Sequence, residues 1–158
     1  MAETILCDYW RSSSAYRVRI GLGLAGIAYR SVPVDLVAGD QRSAAHLAEN
    51  PQGLVPVLQI DGQKLTQSLA ILEYLDEVHG ANFLPRNPAD RARVRALAYA
   101  VAMEIQPICN LRVAKWAVAQ SGGAISQEGW MRQFIATGLA DLETMLAQGS
   151  GTFCHGDQ

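Results

Sequence analysis

The sequence predicts an α/β domain followed by an all-helical one. Three observations carry that reading. Strand-prone and helix-prone segments alternate through the first half, and two β-prone runs flank Asp61-Gly62, the strongest short hairpin signal. Beyond the Pro-rich segment 83–88 (FLPRNP), apolar residues recur only at three- and four-residue spacing. Residues 1–84 are therefore expected to form one domain of order β-α-β-α-β-β-α, and residues 89–158 a helical domain.

Residues 5–10 (ILCDYW) read as a strand, and Ser12, Ser13 and Ser14 then precede an apolar-periodic segment. A hydroxyl there can accept from a helix's orphaned first N–H groups, so a helix should run through Tyr16, Val18, Ile20 and Leu24 to a stop at Gly26. Residues 29–34 (YRSVPV) give a second strand, which Pro33 assigns to an edge or a strand end. A short helix over 46–50 ends at Pro51. The runs 54–60 and 63–66 form the hairpin, and Ser68 is placed to cap a third helix with an apolar face of Leu69, Ile71, Leu72, Leu75 and Val78.

In the second half Val94, Leu97, Val101, Ile105 and Ile108 predict one long amphipathic helix that Pro107 kinks or ends. Gly122-Gly123 breaks the chain, and Trp130, Phe134, Leu139, Leu142, Met145 and Leu146 mark a further helix ending near Gly149. Two or three helices make a thin layer whose apolar face needs partners, so the helical domain is expected to be incomplete at its C-terminus.

Composition narrows the function classes. With 49% hydrophobic and 18% charged residues the chain is globular, and 13 basic against 15 acidic residues leave a formal charge of −2, without the basic surface of a nucleic-acid binder. No stretch approaches the roughly 20 apolar residues of a membrane span. Met1 to Tyr9 carries Glu3 and Asp8 and lacks a basic segment followed by an apolar run, so no secretory signal is expected. Cys7, Cys109 and Cys154 are odd in number and far apart, with no metal-ligand spacing, and read as reduced thiols of a cytoplasmic protein. His46, His79 and His155 are scattered and read as surface residues.

Three local features could carry chemistry: the turn Ser12 to Arg17, the Val55-Pro56 dipeptide and the Gln67-Ser68 pair. Each lies at a strand end or a helix N-terminus, where β-α-β folds place ligands and exposed N–H groups favour anions. A hydroxyl at such a point can donate to a thiolate and lower its pKa. Serine before a helix is most often just a cap, at Ser68 as at Ser12, and the dipeptide alone is undistinctive because about 5% of bonds before proline are cis.

Four segments together resemble the zeta-class glutathione transferase / maleylacetoacetate isomerase family: Arg11-Ser12-Ser13-Ser14-Ala15-Tyr16-Arg17-Val18-Arg19-Ile20, Asn50-Pro51 with Val55-Pro56, Gln67-Ser68-Leu69-Ala70-Ile71-Leu72-Glu73-Tyr74-Leu75, and Ile105-Gln106-Pro107-Ile108-Cys109-Asn110-Leu111. The resemblance implies a thioredoxin-like domain that holds glutathione, followed by a helical glutathione-transferase domain that shapes the electrophile pocket. It makes Ser12 and Ser13 the catalytic pair, with Ser12 hydrogen-bonding the thiolate. It assigns Val55 to the cysteinyl backbone beside a cis-Pro56, and Gln67 and Ser68 to the γ-glutamyl end. Gln41, Gln106 and Asn110 match further positions of the glutathione and substrate site, and Arg11 and Arg112 are candidates for substrate carboxylates. Ser14 stands where many members have cysteine, and Ala15-Tyr16 where many have serine and tryptophan. The family also continues past Gly156-Asp157 with a Thr-x-x-Asp cap and further helices.

The implied activity is glutathione-dependent cis–trans isomerisation of maleylacetoacetate to fumarylacetoacetate in tyrosine and phenylalanine breakdown, by reversible thiolate addition. The implied enzyme is a cytoplasmic homodimer, with no metal, nucleic-acid or membrane partner, in which Arg91 and Arg95 either face the second subunit or stand solvated. Alternatives are maleylpyruvate as substrate, although Gln106 stands where that enzyme has histidine; general conjugation or dehalogenation by a glutathione transferase; and a truncated, non-catalytic glutathione-binding protein.

Overall fold

The structure is a computed structural model that describes residues 3–149 and 151–157. It divides into two compact units, Met1–Phe83 and Leu84–Gln158.

In the first unit, strands β1 (Ile5–Asp8), β2 (Arg30–Pro33), β3 (Val57–Ile60) and β4 (Gln63–Thr66) form one mixed sheet in the order β2-β1-β3-β4. Strand β1 runs parallel to β2, which requires the crossover helix α1 (Ser13–Leu24), and antiparallel to β3, while β3 and β4 pair as the predicted hairpin. Helices α2 (Ala44–Glu49) and α3 (Ser68–His79) complete the unit. Alternation along the strands sorts side chains into two buried clusters. Leu6, Leu58 and Ile60 pack with Val18 and Leu22 of α1 and Ile71 and Leu75 of α3, while Cys7, Val57, Val55, Val34 and Ala15 form the second. Gly21 lets α1 approach α3, since a Cβ there would run into the Leu72 side chain.

The first strand is shorter than the run 5–10, because Ser12 N–H already bonds back to the Tyr9 carbonyl at 2.8 Å and turns the chain. The short helix begins earlier than residue 46, since Ser43 caps it by accepting from His46 N–H. Pro33 closes β2, which lies at the sheet edge as expected.

The second unit is helical: α4 (Pro88–Tyr99), wider π-helical turns over Ala100–Ile105, the single turn α5 (Gln106–Ile108), α6 (Leu111–Gln120) and α7 (Gln127–Ala147). The one long helix predicted over residues 94–108 is thus interrupted. Pro107 has no N–H to continue the ladder, and just before it Gln106 N–H bonds five residues back to Val101 O. Asn110 then starts α6 as a cap, its side chain accepting from Arg112 N–H at 3.1 Å. Trp130 Nε1 of α7 donates to Ile108 O at 3.0 Å, satisfying a carbonyl at the broken end. Gly122 and Gly123 take positive φ values of 61° and 94° at the predicted break. Among the described residues, no helix is long and apolar enough to cross a membrane.

Candidate active site

Hydrogen bonds join four segments of the first unit into one patch. Ser12 is the N-cap of α1, its Oγ accepting from Ala15 N–H at 3.2 Å. Ser12 Oγ lies 3.1 Å from Ser14 Oγ, and Ser14 Oγ donates to the Val55 carbonyl at 3.1 Å. The Val55-Pro56 peptide is cis, as the resemblance implies. His46 Nε2 (3.0 Å) and Asn50 Nδ2 (2.9 Å) converge on the adjacent carbonyl of Leu54 and hold that loop from the α2 side.

The second link runs from α1 to α3. Ser68 does not cap α3: it is the first helical residue, and Gln67 occupies the cap position at φ 66° with no side-chain cap. Arg17 Nη1 of α1 donates to Ser68 Oγ at 2.6 Å. A guanidinium can only donate, so Ser68 must accept there, which leaves its own O–H free to donate beside the helix N-terminus. Burial lowers the Arg17 pKa from its ordinary value. Gln67 Nε2 reaches Gln52 Oε1 at 2.9 Å, and a left-handed backbone at a glutamine is strain that the surroundings must hold.

Gln41 sits in a 3-10 turn over Asp40–Arg42 and contacts the Gly53 turn: a Cβ on Gly53 would lie 2.9 Å from Gln41 O. The Oε1 of Gln41 is buried without a protein partner.

The structure therefore connects Ser12, Val55, Gln67 and Ser68, and sets Gln41 against the loop that leads to Val55. Ser13 stands exposed in the first turn of α1. Arg11 is exposed, its guanidinium carbon 5.6 Å from the Trp10 ring centre. Gln106, Asn110 and Arg112 belong to the second unit, where Asn110 Oδ1 is engaged in capping α6 and Arg112 is exposed on its first turn.

Sequence reasoning included Ser14 and Arg17 in the candidate turn without a role of their own, and assigned none to Gln52 or His46. His46 corrects the expectation of a surface residue, because it is 6% exposed. His79 pairs with Asp61 at 2.7 Å. Burial pushes both Cys7 and Cys109 above the ordinary thiol pKa, Glu49 adding to the effect at Cys7.

Known proteins are similar to this chain along nearly its whole length. The family model for the glutathione S-transferase N-terminal domain matches residues 2–77. Maleylacetoacetate isomerase of Rhizobium meliloti (strain 1021) is 60% identical over 159 residues, which span 99% of this chain and 75% of that protein. The crystal structure of maleylacetoacetate isomerase from Anaeromyxobacter dehalogenans 2CP-1, with GSH bound in its active site, superposes with a TM-score of 0.84 at 48% identity, over 99% of this chain and 74% of that one. A maleyl pyruvate isomerase, described as a bacterial glutathione S-transferase in the zeta class, superposes at 0.90 with 35% identity, over 98% of this chain and 74% of its own.

Proposed function

Because this chain belongs to the maleylacetoacetate isomerase family of zeta-class glutathione transferases, we propose that it isomerises maleylacetoacetate to fumarylacetoacetate with glutathione as cofactor. The observation that carries this reading is the 60% identity to the Rhizobium meliloti isomerase along nearly the whole chain.

The residues present fit glutathione on two grounds of their own. Gln41 Oε1 is a buried acceptor without a partner, suited to an N–H of the peptide. Ser68 presents a hydroxyl proton at the N-terminus of α3, suited to a carboxylate. When bound, glutathione supplies a thiol whose reversible addition to a cis carbon–carbon double bond permits rotation about it.

The protein's part is to bind, orient and lower a pKa. Ser12 holds an O–H next to the helix N-terminus and can turn it from Ser14 toward a sulfur anion, while its Oγ keeps the Ala15 N–H. Ser13 offers a second hydroxyl on the same turn. Ser14 ties that turn to Val55, whose backbone orients the cysteinyl portion, and Arg17 ties the turn's helix to Ser68. Gln67 and Ser68 grip the γ-glutamyl end, with Gln41, Gln106 and Asn110 as further contacts. Arg11 and Arg112 serve the carboxylates of the maleyl substrate, since a guanidinium binds a carboxylate through two parallel bonds. We place the reaction in the cytoplasm, in keeping with three free cysteines, and in a homodimer.

The test is the glutathione-dependent isomerisation rate of maleylacetone, with maleylpyruvate run in parallel, for the parent and Ser12→Ala. A rate above buffer plus glutathione that drops roughly ten-fold or more in the variant, about 1.4 kcal/mol of transition-state stabilisation, is the expected result. Faster turnover of maleylpyruvate would reassign the substrate. Saturable glutathione binding with no turnover of either compound would leave a binding protein.

A further inference from the structure

Burial holds only one end of the turn that presents Ser12. Tyr9 packs part-buried against the second core cluster, but Trp10 is 73% exposed and Arg11 is exposed beside it. Beyond Ser12, Ser14 ties the chain to Val55. Ahead of Ser12, the tie is Arg19.

Arg19 Nη1 donates to Asp8 Oδ2 at 2.8 Å and Nη2 to the Trp10 carbonyl at 3.1 Å. Its guanidinium carbon lies 5.1 Å from the centre of the Tyr16 ring, within cation–π range. One rigid group thus touches the chain on both sides of Ser12. Asp8 supplies the fixed frame: it is the last residue of β1, is 5% exposed, and its carbonyl accepts from Val34 N–H at 2.7 Å. The planar fork of Arg19 therefore relays the position of the sheet to the Trp10 carbonyl. Ser12 N–H bonds to the Tyr9 carbonyl at 2.8 Å across the same turn, so a shift of Trp10 carries Ser12 with it. Paired with Asp8 at 2.8 Å, the guanidinium charge is largely cancelled at longer range, and what Arg19 contributes is geometry.

We propose that Arg19 is a positioning residue for the reaction: without touching glutathione or substrate, it holds the turn over Tyr9 to Ser12 so that the Ser12 hydroxyl meets the sulfur. The proposal rests on the family reading in one respect, the place of Ser12 beside the thiol. Lysine keeps the charge but offers its donors from one nitrogen, without the flat fork that spans carboxylate, carbonyl and ring. Charge alone should therefore not restore the turn.

The experiment compares the parent with Arg19→Lys, with the double variant Asp8→Asn/Arg19→Gln, which leaves no lone buried charge, and with Gly21→Ala as a control for stability lost elsewhere on α1. The readouts are thiolate absorbance of bound glutathione across pH, and amide exchange by NMR without glutathione. In both Arg19 variants the pKa of the bound thiol should rise by about 0.4–1 pH unit, the equivalent of one hydrogen bond. The Ser12 and Ala15 amides should also exchange faster by a larger factor than those of β3. Gly21→Ala should speed exchange in β3 and leave the thiol pKa where it is. Should the double variant fail to fold, Arg19→Lys decides. A parent that lowers the thiol pKa and an Arg19→Lys variant that keeps it low would overturn the inference and leave the family reading standing. A thiol pKa raised equally in Gly21→Ala would overturn it as well, as a general loosening. A parent that neither binds glutathione nor lowers its thiol pKa would overturn both.

Discussion

Ser14 has one proton to donate, and the Val55 carbonyl takes it. In the 3.1 Å contact between Ser14 and Ser12, Ser12 is therefore the donor. The hydroxyl proposed to stabilise a thiolate thus holds its proton on a neighbour until a stronger acceptor arrives. Replacing each serine by alanine should give different signatures. Ser14→Ala frees the Ser12 proton but cuts the tether to Val55: the Michaelis constant for glutathione should rise roughly 2- to 12-fold, the factor corresponding to one hydrogen bond of about 0.5–1.5 kcal/mol, while the pKa of the bound thiol stays low. Ser12→Ala should instead raise that pKa. Titrating thiolate absorbance in the two variants separates them, and a raised thiol pKa in Ser14→Ala would reassign the donor. The serine pair was visible in the sequence as a helix start, but the bond from Ser14 to Val55 spans 41 positions and leaves no local trace. The same holds for Arg17, whose reach to Ser68 depends on how α1 lies against α3.

Among the elements, α1 carries two glycines that the sequence cannot tell apart. Gly21 faces Leu72 of α3, whereas nothing lies within 4 Å of a Cβ on Gly23. Gly21→Ala should cost about 1–3 kcal/mol through overpacking, and Gly23→Ala should gain about 0.5–1 kcal/mol from helix propensity, with urea unfolding reading both signs. The hairpin was legible because Asp61-Gly62 states its turn locally, as was the end of β2 at Pro33. The π-helical turns before Pro107 were not, because an apolar period of three to four survives one widened turn. Nor was the clasp that closes the hairpin onto α3, where Asp61 Oδ2 receives Tyr74 Oη at 3.0 Å and His79 Nε2 at 2.7 Å. Those bonds, His79 first and then Tyr74, hold the Asp61 pKa below its ordinary value. A depressed carboxylate stabilises the fold above its unfolded pKa, and that contribution is lost as pH falls through the folded one. Urea midpoints of the parent should therefore decline below about pH 4 more steeply than those of Asp61→Asn, and parallel acid limbs would show that the clasp contributes nothing.

The two units differ in how much they bury. Leu6, Val18, Leu22, Val57, Leu58, Ile71 and Leu75 of the first are fully buried, whereas among the described residues of the second only Leu97, Ile105 and Ala114 are buried, and α7 contributes none over 21 residues. Backbone amides report such differences, because exchange in a core needs global opening while a poorly covered helix opens locally. In the protein without glutathione, amides of β1 and β3 should exchange far more slowly than those of α7. Glutathione at a hundred times its dissociation constant should then slow β1 and β3 by about a hundred-fold, equivalent to about 2.7 kcal/mol, since Ser12, Val55, Gln67 and Ser68 all lie in the first unit. The segment around Gln106 and Asn110 tests the rest of the assignment. If both residues contact glutathione, amides of α5 and of the first turn of α6 gain protection with the sheet, although Asn110 Oδ1 already caps α6 and only its amide group is left to donate. Protection confined to the first unit would remove Gln106 and Asn110 from the glutathione site and leave them, with Arg112, to the substrate alone.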